Sequence, residues 1–240
     1  MSGFVDLHCH YLAGVDDGAR DEDEGVRMLE ALGALGFEWV VATPHMRPGL
    51  YDNEKAGLER AFANMQPRLA QPGLPKTSLS SEHYFDDQVY SRILAGNALP
   101  YPGGKAVLLE FYAVDFPPMV GRCFIELRRA GLLPVIAHPE RYRCLWDSLE
   151  PLERLVDAGA AALLDTAALT GKYGGRPQRA AEEILELGLY HAACSDAHRV
   201  ADVDDVRLGM ERIDELYGKE ERSFLFETGP RALLAGRLPE

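Results

Sequence analysis

The chain has 240 residues, 47% hydrophobic and 26% charged, enough for one large domain or two small ones around a sizeable core. Acidic residues number 38 against 25 basic ones, and the formal net charge of -13 repels nucleic acid and anionic membrane at long range. No apolar run nears the roughly 18–20 residues of a membrane span, no leader pattern opens the chain, and Cys9, Cys123, Cys144 and Cys194 are scattered, so a reduced, cytoplasmic protein without disulfides or membrane insertion is expected.

The first predicted strand is "FVDLHCH", residues 4–10. A helix follows in "GARDEDEGVRMLEALGALG". Asp21 can cap it, Glu24 completes a capping box, Val26, Leu29, Leu32 and Leu35 form one stripe, and Gly36 ends it. "EWVVATPH" reads as a short strand broken by Pro44. "NEKAGLERAFANMQPRLA" reads as a helix that frays near Pro67. "KTSLSSEHYF" is a strand and "DDQVYSRILAG" a helix. In the second half, "KAVLLEFY" and "LPVIAHPERY" are strands separated by the helix "PMVGRCFIELRRAG". "LERLVDAGA" is a helix and "AALLDTAALTG" a strand and turn. The helix "RPQRAAEEILELG", the strand "YHAACSDAH" and the helix "DVRLGMERIDELYG" precede a closing segment with a last short helix. There is no repeat, low-complexity tract or internal composition shift, so residues 1–240 read as a single domain. About seven strands alternating with helices imply an α/β protein with a parallel sheet, open or closed as a barrel.

Polar residues collect at the C-terminal ends of these strands: His8 and His10, His45, Glu82, Glu110, His138, Asp196 and His198. In a (β/α) barrel such ends converge on one face, where active sites are built. Residues two apart on a strand face the same way, so His8 and His10 point together and Cys9 points back. Alone, an H-x-H pair can be two hydrogen-bonded histidines, and Asp17-Gly18 can be a turn. Five histidines and the carboxylates of Asp17, Glu82, Glu110 and Asp196 at one mouth point instead to metal. Nine such groups exceed the needs of one ion and suit two or three, with a bridging carboxylate. Three divalent ions would outweigh the four carboxylates and make a local positive site for a phosphate dianion, with metal-bound hydroxide as nucleophile. Arg141 in "HPERY" and Arg47 in "PHMRPG" are candidate phosphate clamps, against the plainer role of ion-paired surface arginines. His83 should face away from Glu82, and His191 begins its strand, so neither is assigned to metal. Cys123 and Arg129 match the C-x5-R spacing of cysteine-dependent phosphatases, but within a predicted helix that cannot wrap a phosphate.

"DLHCH", "ATPH", "VIAHPERY" and "SDAH" resemble the metal motifs of the PHP (polymerase and histidinol phosphatase) superfamily. "HCHYLAGVDDGARDEDE" and "TPHMRPGLYDN" are similar to the bacterial manganese-dependent protein tyrosine phosphatases of capsule and exopolysaccharide synthesis. The resemblance implies a distorted seven-stranded (β/α) barrel and up to three divalent ions, Mn2+ before Zn2+ or Fe2+. It implies a first ion on His8, His10, Glu82 and Asp196. Glu82 would bridge to a second ion completed by Glu110 and His138, with a third on Asp17, His45 and His198. It further implies a phosphotyrosine protein as substrate and partner, a bacterial tyrosine kinase. Ser81 stands where the pattern has glycine, and Asp165-Thr166 where it has an asparagine- or serine-containing segment. The competing readings are a small-molecule phosphatase such as a histidinol-phosphate hydrolase and a metal-binding regulatory module without turnover. The net charge disfavours an exonuclease.

Overall fold

A computed structural model describes residues 3–239. Nine strands occur among them: β1 (Phe4–Cys9), β2 (Phe37–Ala42), β3 (His45–Met46), β4 (Lys76–Leu79), β5 (Glu82–Tyr84), β6 (Ala106–Glu110), β7 (Leu133–Ala137), β8 (Ala161–Asp165) and β9 (Ala192–Cys194). They form one sheet of order β1-β2-β4 and a second of order β3-β5-β6-β7-β8-β9. Every pairing between these strands is parallel, as the alternation with helices requires. Two of the expected strands are each split in two, which accounts for the larger number. Pro44 carries no N–H and separates β2 from β3. Ser80 and Ser81 separate β4 from β5, and their hydroxyls donate to the carbonyls of Leu99 (3.0 Å) and Pro44 (2.6 Å). Ser81 thus fastens the two breaks to each other.

The sheets also meet at their other margin. Asp196 N–H donates to His8 O and His10 N–H to Ala197 O, both at 2.9 Å, and Cys9 bridges Ala197 in parallel sense. Alternate strand residues divide between two apolar clusters. Leu7, Val41, Leu108, Val135 and Leu163 form one with Leu233. Val40, Leu109, Ile136 and Leu164 join the other, with the buried helix faces.

The helices are α1 (Glu22–Ala34), α2 (Lys55–Leu69), α3 (Asp87–Leu94), α4 (Val120–Arg129), α5 (Glu150–Asp157), α6 (Gly175–Glu186), α7 (Asp202–Tyr217), α8 (Lys219–Ser223) and α9 (Gly229–Leu234). Asp21 caps α1 by accepting from Glu24 N–H at 2.8 Å, while the Glu24 carboxylate reaches back to Arg20 N–H. α2 runs past Pro67 and ends two residues later. Leu225 and Phe226 in the tail are fully buried, with Phe226 against the rings of Phe4 and Phe37. No helix among the described residues is long and apolar enough to cross a membrane.

Candidate metal centre

The strand ends deliver the polar groups to one place by local backbone devices. β1 carries a register shift between Asp6 and Cys9, so that Leu7 packs in the first apolar cluster and Cys9 in the second. His8 and His10 are both fully buried. The loop beyond them folds back on the strand, with Ala19 N–H donating to His10 O at 2.9 Å. Gly18 permits this approach, because a Cβ there would lie 2.2 Å from that same carbonyl. His45 and Glu82 open β3 and β5 and are direct neighbours in the parallel register. Glu110 ends β6. His138 and Asp196 follow β7 and β9 with φ of 34° and 43°, the two left-handed non-glycine residues among those described. Such a conformation is costly for a side-chain-bearing residue and is tolerated where surroundings enforce it. Here it turns both side chains inward.

All nine sequence-predicted metal residues converge. Nε2 of His8 lies 3.1 Å from Nε2 of His10, 3.3 Å from Glu82 Oε2 and 3.2 Å from Asp196 Oδ1. His10 Nε2 lies 3.6 and 3.4 Å from the same two oxygens. Ligands about 2.0–2.2 Å from one ion stand roughly 3.0–3.6 Å apart, so these four atoms have the spacing of a coordination shell. Glu82 Oε1 faces the other way, 2.9 Å from His138 Nε2, which gives this carboxylate a bridging posture. Asp17 Oδ1 lies 3.4 Å from His45 Nε2 and 3.5 Å from His198 Nε2. The groups overlap: His10, Asp17, His45 and His198 form one; His8, His10 and Glu82 another; His8, His138 and Asp196 a third; His45, Glu82 and Glu110 a fourth. His8, His10, His45 and Glu82 each belong to two neighbouring sets.

The donor atoms fit cations. Glu82 Oε2, Glu110 Oε2, Asp196 Oδ1 and His45 Nδ1 are buried without a well-formed hydrogen bond, although Glu82 Oε2 lies 2.8 Å from His45 Nδ1, and a cation would satisfy them all. Burial opposes charge on Glu82, but His8 and His45 overcome it and hold the carboxyl well below its usual range. Burial, then the charge of Glu82, pushes Glu110 up to about 7. Burial and then Arg141 bring His138 down to about 4, leaving a neutral imidazole, the form that binds metal.

The arginines lie where the sequence places them, but with other partners. Both line a cleft of about 180 Å³ over the convergent groups. Arg141 Nη1 donates to Asp196 Oδ2 at 2.7 Å and lies 3.8 Å from Asp165 Oδ2, and its guanidinium stacks 4.8 Å from the Tyr173 ring centroid. Glu140, the neighbouring acid, points elsewhere: its Oε2 accepts from Tyr190 O–H and its Oε1 from Asp165 N–H. Arg47 lies 4.2 Å over the Tyr84 ring. Asp165 also accepts from Ala167 N–H, and Thr166 donates to Cys194 O. His83 is held between backbones, by Leu108 O at Nδ1 and Leu99 N–H at Nε2. His191 accepts from Ala162 N–H at the far end of its strand. Cys123 sits within α4 and its thiol is pushed up by burial, so no phosphate-cradling loop surrounds it.

Two residues escaped the sequence reading. Asp16 is buried against His10, with Oδ2 2.8 Å from Nδ1. It also accepts from the N–H groups of Gly18 and His45. The adjacent acids gave no sign of which would turn inward. Arg199 donates to the carbonyls of Asp17 (2.7 Å), Gly18 and His198 (2.6 Å), and so fastens two segments of the site together. Only its place after "SDAH" could have drawn notice.

The sequence model of the family described as capsular polysaccharide synthesis, CpsB/CapC, matches residues 4–235. The chain belongs to the CpsB/CapC family. It is 32% identical over 197 residues to the tyrosine-protein phosphatase YwqE of Bacillus subtilis, covering 82% of this chain and 78% of that one. To the tyrosine-protein phosphatase CpsB of Streptococcus pneumoniae it is 22% identical over 242 residues, covering 98% and 99%. A crystal structure from work on YwqE and CpsB, described as metal-dependent tyrosine phosphatases, matches with a TM-score of 0.89 at 30% identity, covering 98% of this chain and 96% of that one. The phosphotriesterase homology protein of Escherichia coli, at 11% identity and a TM-score of 0.56, shares the α/β fold over 95% of this CpsB/CapC chain and 97% of its own.

Proposed function

We propose that this CpsB/CapC protein is a metal-dependent phosphatase that hydrolyses phosphotyrosine on a protein, with a bacterial tyrosine kinase of polysaccharide synthesis as its partner in the cytoplasm. The carrying observation is the set His8 Nε2, His10 Nε2, Glu82 Oε2 and Asp196 Oδ1, in which every pair that includes a histidine is 3.1–3.6 Å apart. In this reading those residues hold one divalent cation. Glu82 would also serve a second, held with Glu110 and His138, and Asp17, His45 and His198 would hold a third. Mn2+ is the first choice, with Zn2+ and Fe2+ as competitors. The two sheets then form a distorted seven-stranded barrel, β2 with β3 and β4 with β5 each counting as one strand. The described residues, 3–239, form one such domain, and the remaining positions of the expected 1–240 span lie outside them.

When bound, divalent cations supply Lewis acidity to the phosphoryl group and bring the acidity of water near neutrality. Without them four cleft carboxylates, Asp17, Glu82, Glu110 and Asp196, would repel a phosphate dianion. Arg141 is about a third exposed and can offer its remaining N–H groups to phosphate while Asp196 holds it in place. Arg47, just beyond β3 and braced on Tyr84, offers a second cation to the same cleft. No cysteine nucleophile takes part.

Hydrolysis of a phosphotyrosine peptide, a phosphoserine peptide and histidinol phosphate is compared before and after metal stripping, with Mn2+ restored last. Turnover of phosphotyrosine that disappears on stripping and returns with Mn2+ is the expected result. Full activity in a sample free of metal by elemental analysis overturns the metal, and preference for histidinol phosphate overturns the substrate.

A further inference from the structure

We infer that the turn Arg47–Tyr51 is an aryl-recognition element, in which Leu50 and Tyr51 receive the phenyl ring of the substrate and select aromatic over alkyl phosphate esters. The inference rests on the phosphatase reading and adds the side chains that choose the substrate. The metal cleft is walled by ionisable carboxylate, imidazole and guanidinium groups except at one place, where Leu50 and Tyr51 line it. Leu50 is 59% exposed, an apolar side chain left in water beside a charged cleft. A phenyl ring carried by a phosphate at the cleft floor can cover it.

The turn is built to hold its position. Arg47 N–H donates to Tyr51 O (3.0 Å), and Arg47 O accepts from Tyr51 N–H (2.8 Å) and Leu50 N–H (3.1 Å). Gly49 takes φ +83° at its tip, a conformation that glycine adopts without penalty, and its N–H donates to Asp52 Oδ1 at 2.8 Å. The Asn53 amide donates to His45 O (2.8 Å) and Val15 O (2.9 Å). The base of the turn is therefore tied to the segments that carry His45 and Asp17. The Tyr51 ring lies parallel to the His45 imidazole, with centroids 5.3 Å apart at 7°. A pinned apolar surface loses little entropy when a ring settles on it. A phosphoserine side chain has no ring to place there, so it gains nothing from the turn.

The test compares two phosphonates of like charge that resist hydrolysis, phenylphosphonate and methylphosphonate, by calorimetry on Mn2+-loaded protein. The wild-type protein is expected to bind phenylphosphonate more tightly. Leu50→Ser is expected to reduce the affinity ratio about five-fold, equivalent to roughly 1 kcal/mol of apolar contact, at unchanged metal content. Leu50 packs against no core, so the variant folds. Its KM for a phosphotyrosine peptide should rise by a similar factor with little change in kcat. Equal weakening of both phosphonates, or a ratio unchanged from wild type, overturns the inference and leaves the phosphatase reading intact. Failure of wild-type protein to bind either phosphonate overturns both.

Discussion

Nδ1 of His10 lies 2.8 Å from Oδ2 of Asp16, and both side chains are fully buried. Burial works against charge on Asp16, yet His10 outweighs it and the carboxyl is held below its usual range. An ionised carboxylate can only accept, so His10 donates from Nδ1 and turns the lone pair of Nε2 toward Glu82 and Asp196. Nδ1 of His8 and of His138 has no such partner.

Asp16→Asn should therefore weaken metal binding. One amide oxygen cannot replace two carboxylate oxygens that serve His10, Gly18 and His45. Chelator competition is expected to show about 10–100-fold lower metal affinity, with excess Mn2+ restoring most activity. Wild-type affinity in the variant would reduce Asp16 to a loop residue.

Arg141→Ala is expected to lose roughly 10²–10³ in kcat/KM, the scale of a missing donor to developing charge, while metal content at saturating Mn2+ stays the same. Arg141→Lys should recover part of the loss, because an ammonium cannot hold Asp196 and phosphate with one planar fork. An Arg141→Ala protein that loses melting temperature and keeps kcat/KM would show that the guanidinium serves only Asp196 and Asp165.

Cys123→Ser should leave kcat within a few-fold, since the thiol lies in α4 and is pushed up by burial. Complete loss of turnover in a folded, metal-replete variant would restore a thiolate mechanism.

His83 sets part of the acid limit of stability. Burial lowers it from 6.5 to about 4, so the folded protein keeps it neutral while the unfolded chain protonates it. Its contribution is intact above pH 6.5 and declines as pH falls toward 4, by up to about 1.4 kcal/mol per pH unit. His83→Gln removes this titration. Urea denaturation across that window should show a shallower decline for the variant by about one proton, whatever its offset in absolute stability. Parallel profiles would place the titration elsewhere.

The placement of His8, His10, Glu110, His138, Asp196 and His198 was legible in the sequence because strand parity and strand ends are local properties, whereas His45 and Glu82 reach the same mouth by opening the short strands β3 and β5. An apolar run that stops at a histidine or glutamate places that residue at a mouth in any parallel α/β arrangement. The alternation of elements likewise required parallel pairing. Other features depended on approaches between distant segments. Ser80 and Ser81 break their strand because carbonyls of Leu99 and Pro44 lie within reach. Asp16 turns inward and Asp17 toward His45 and His198 because Gly18 brings the loop onto the carbonyl of His10. Arg141 pairs with Asp196, 55 residues away, rather than with its neighbour Glu140, because Tyr190 and Asp165 N–H already occupy that carboxylate. Residue type and spacing determined which groups reach the site, whereas the packing of distant backbone decided which atom of each group faces inward.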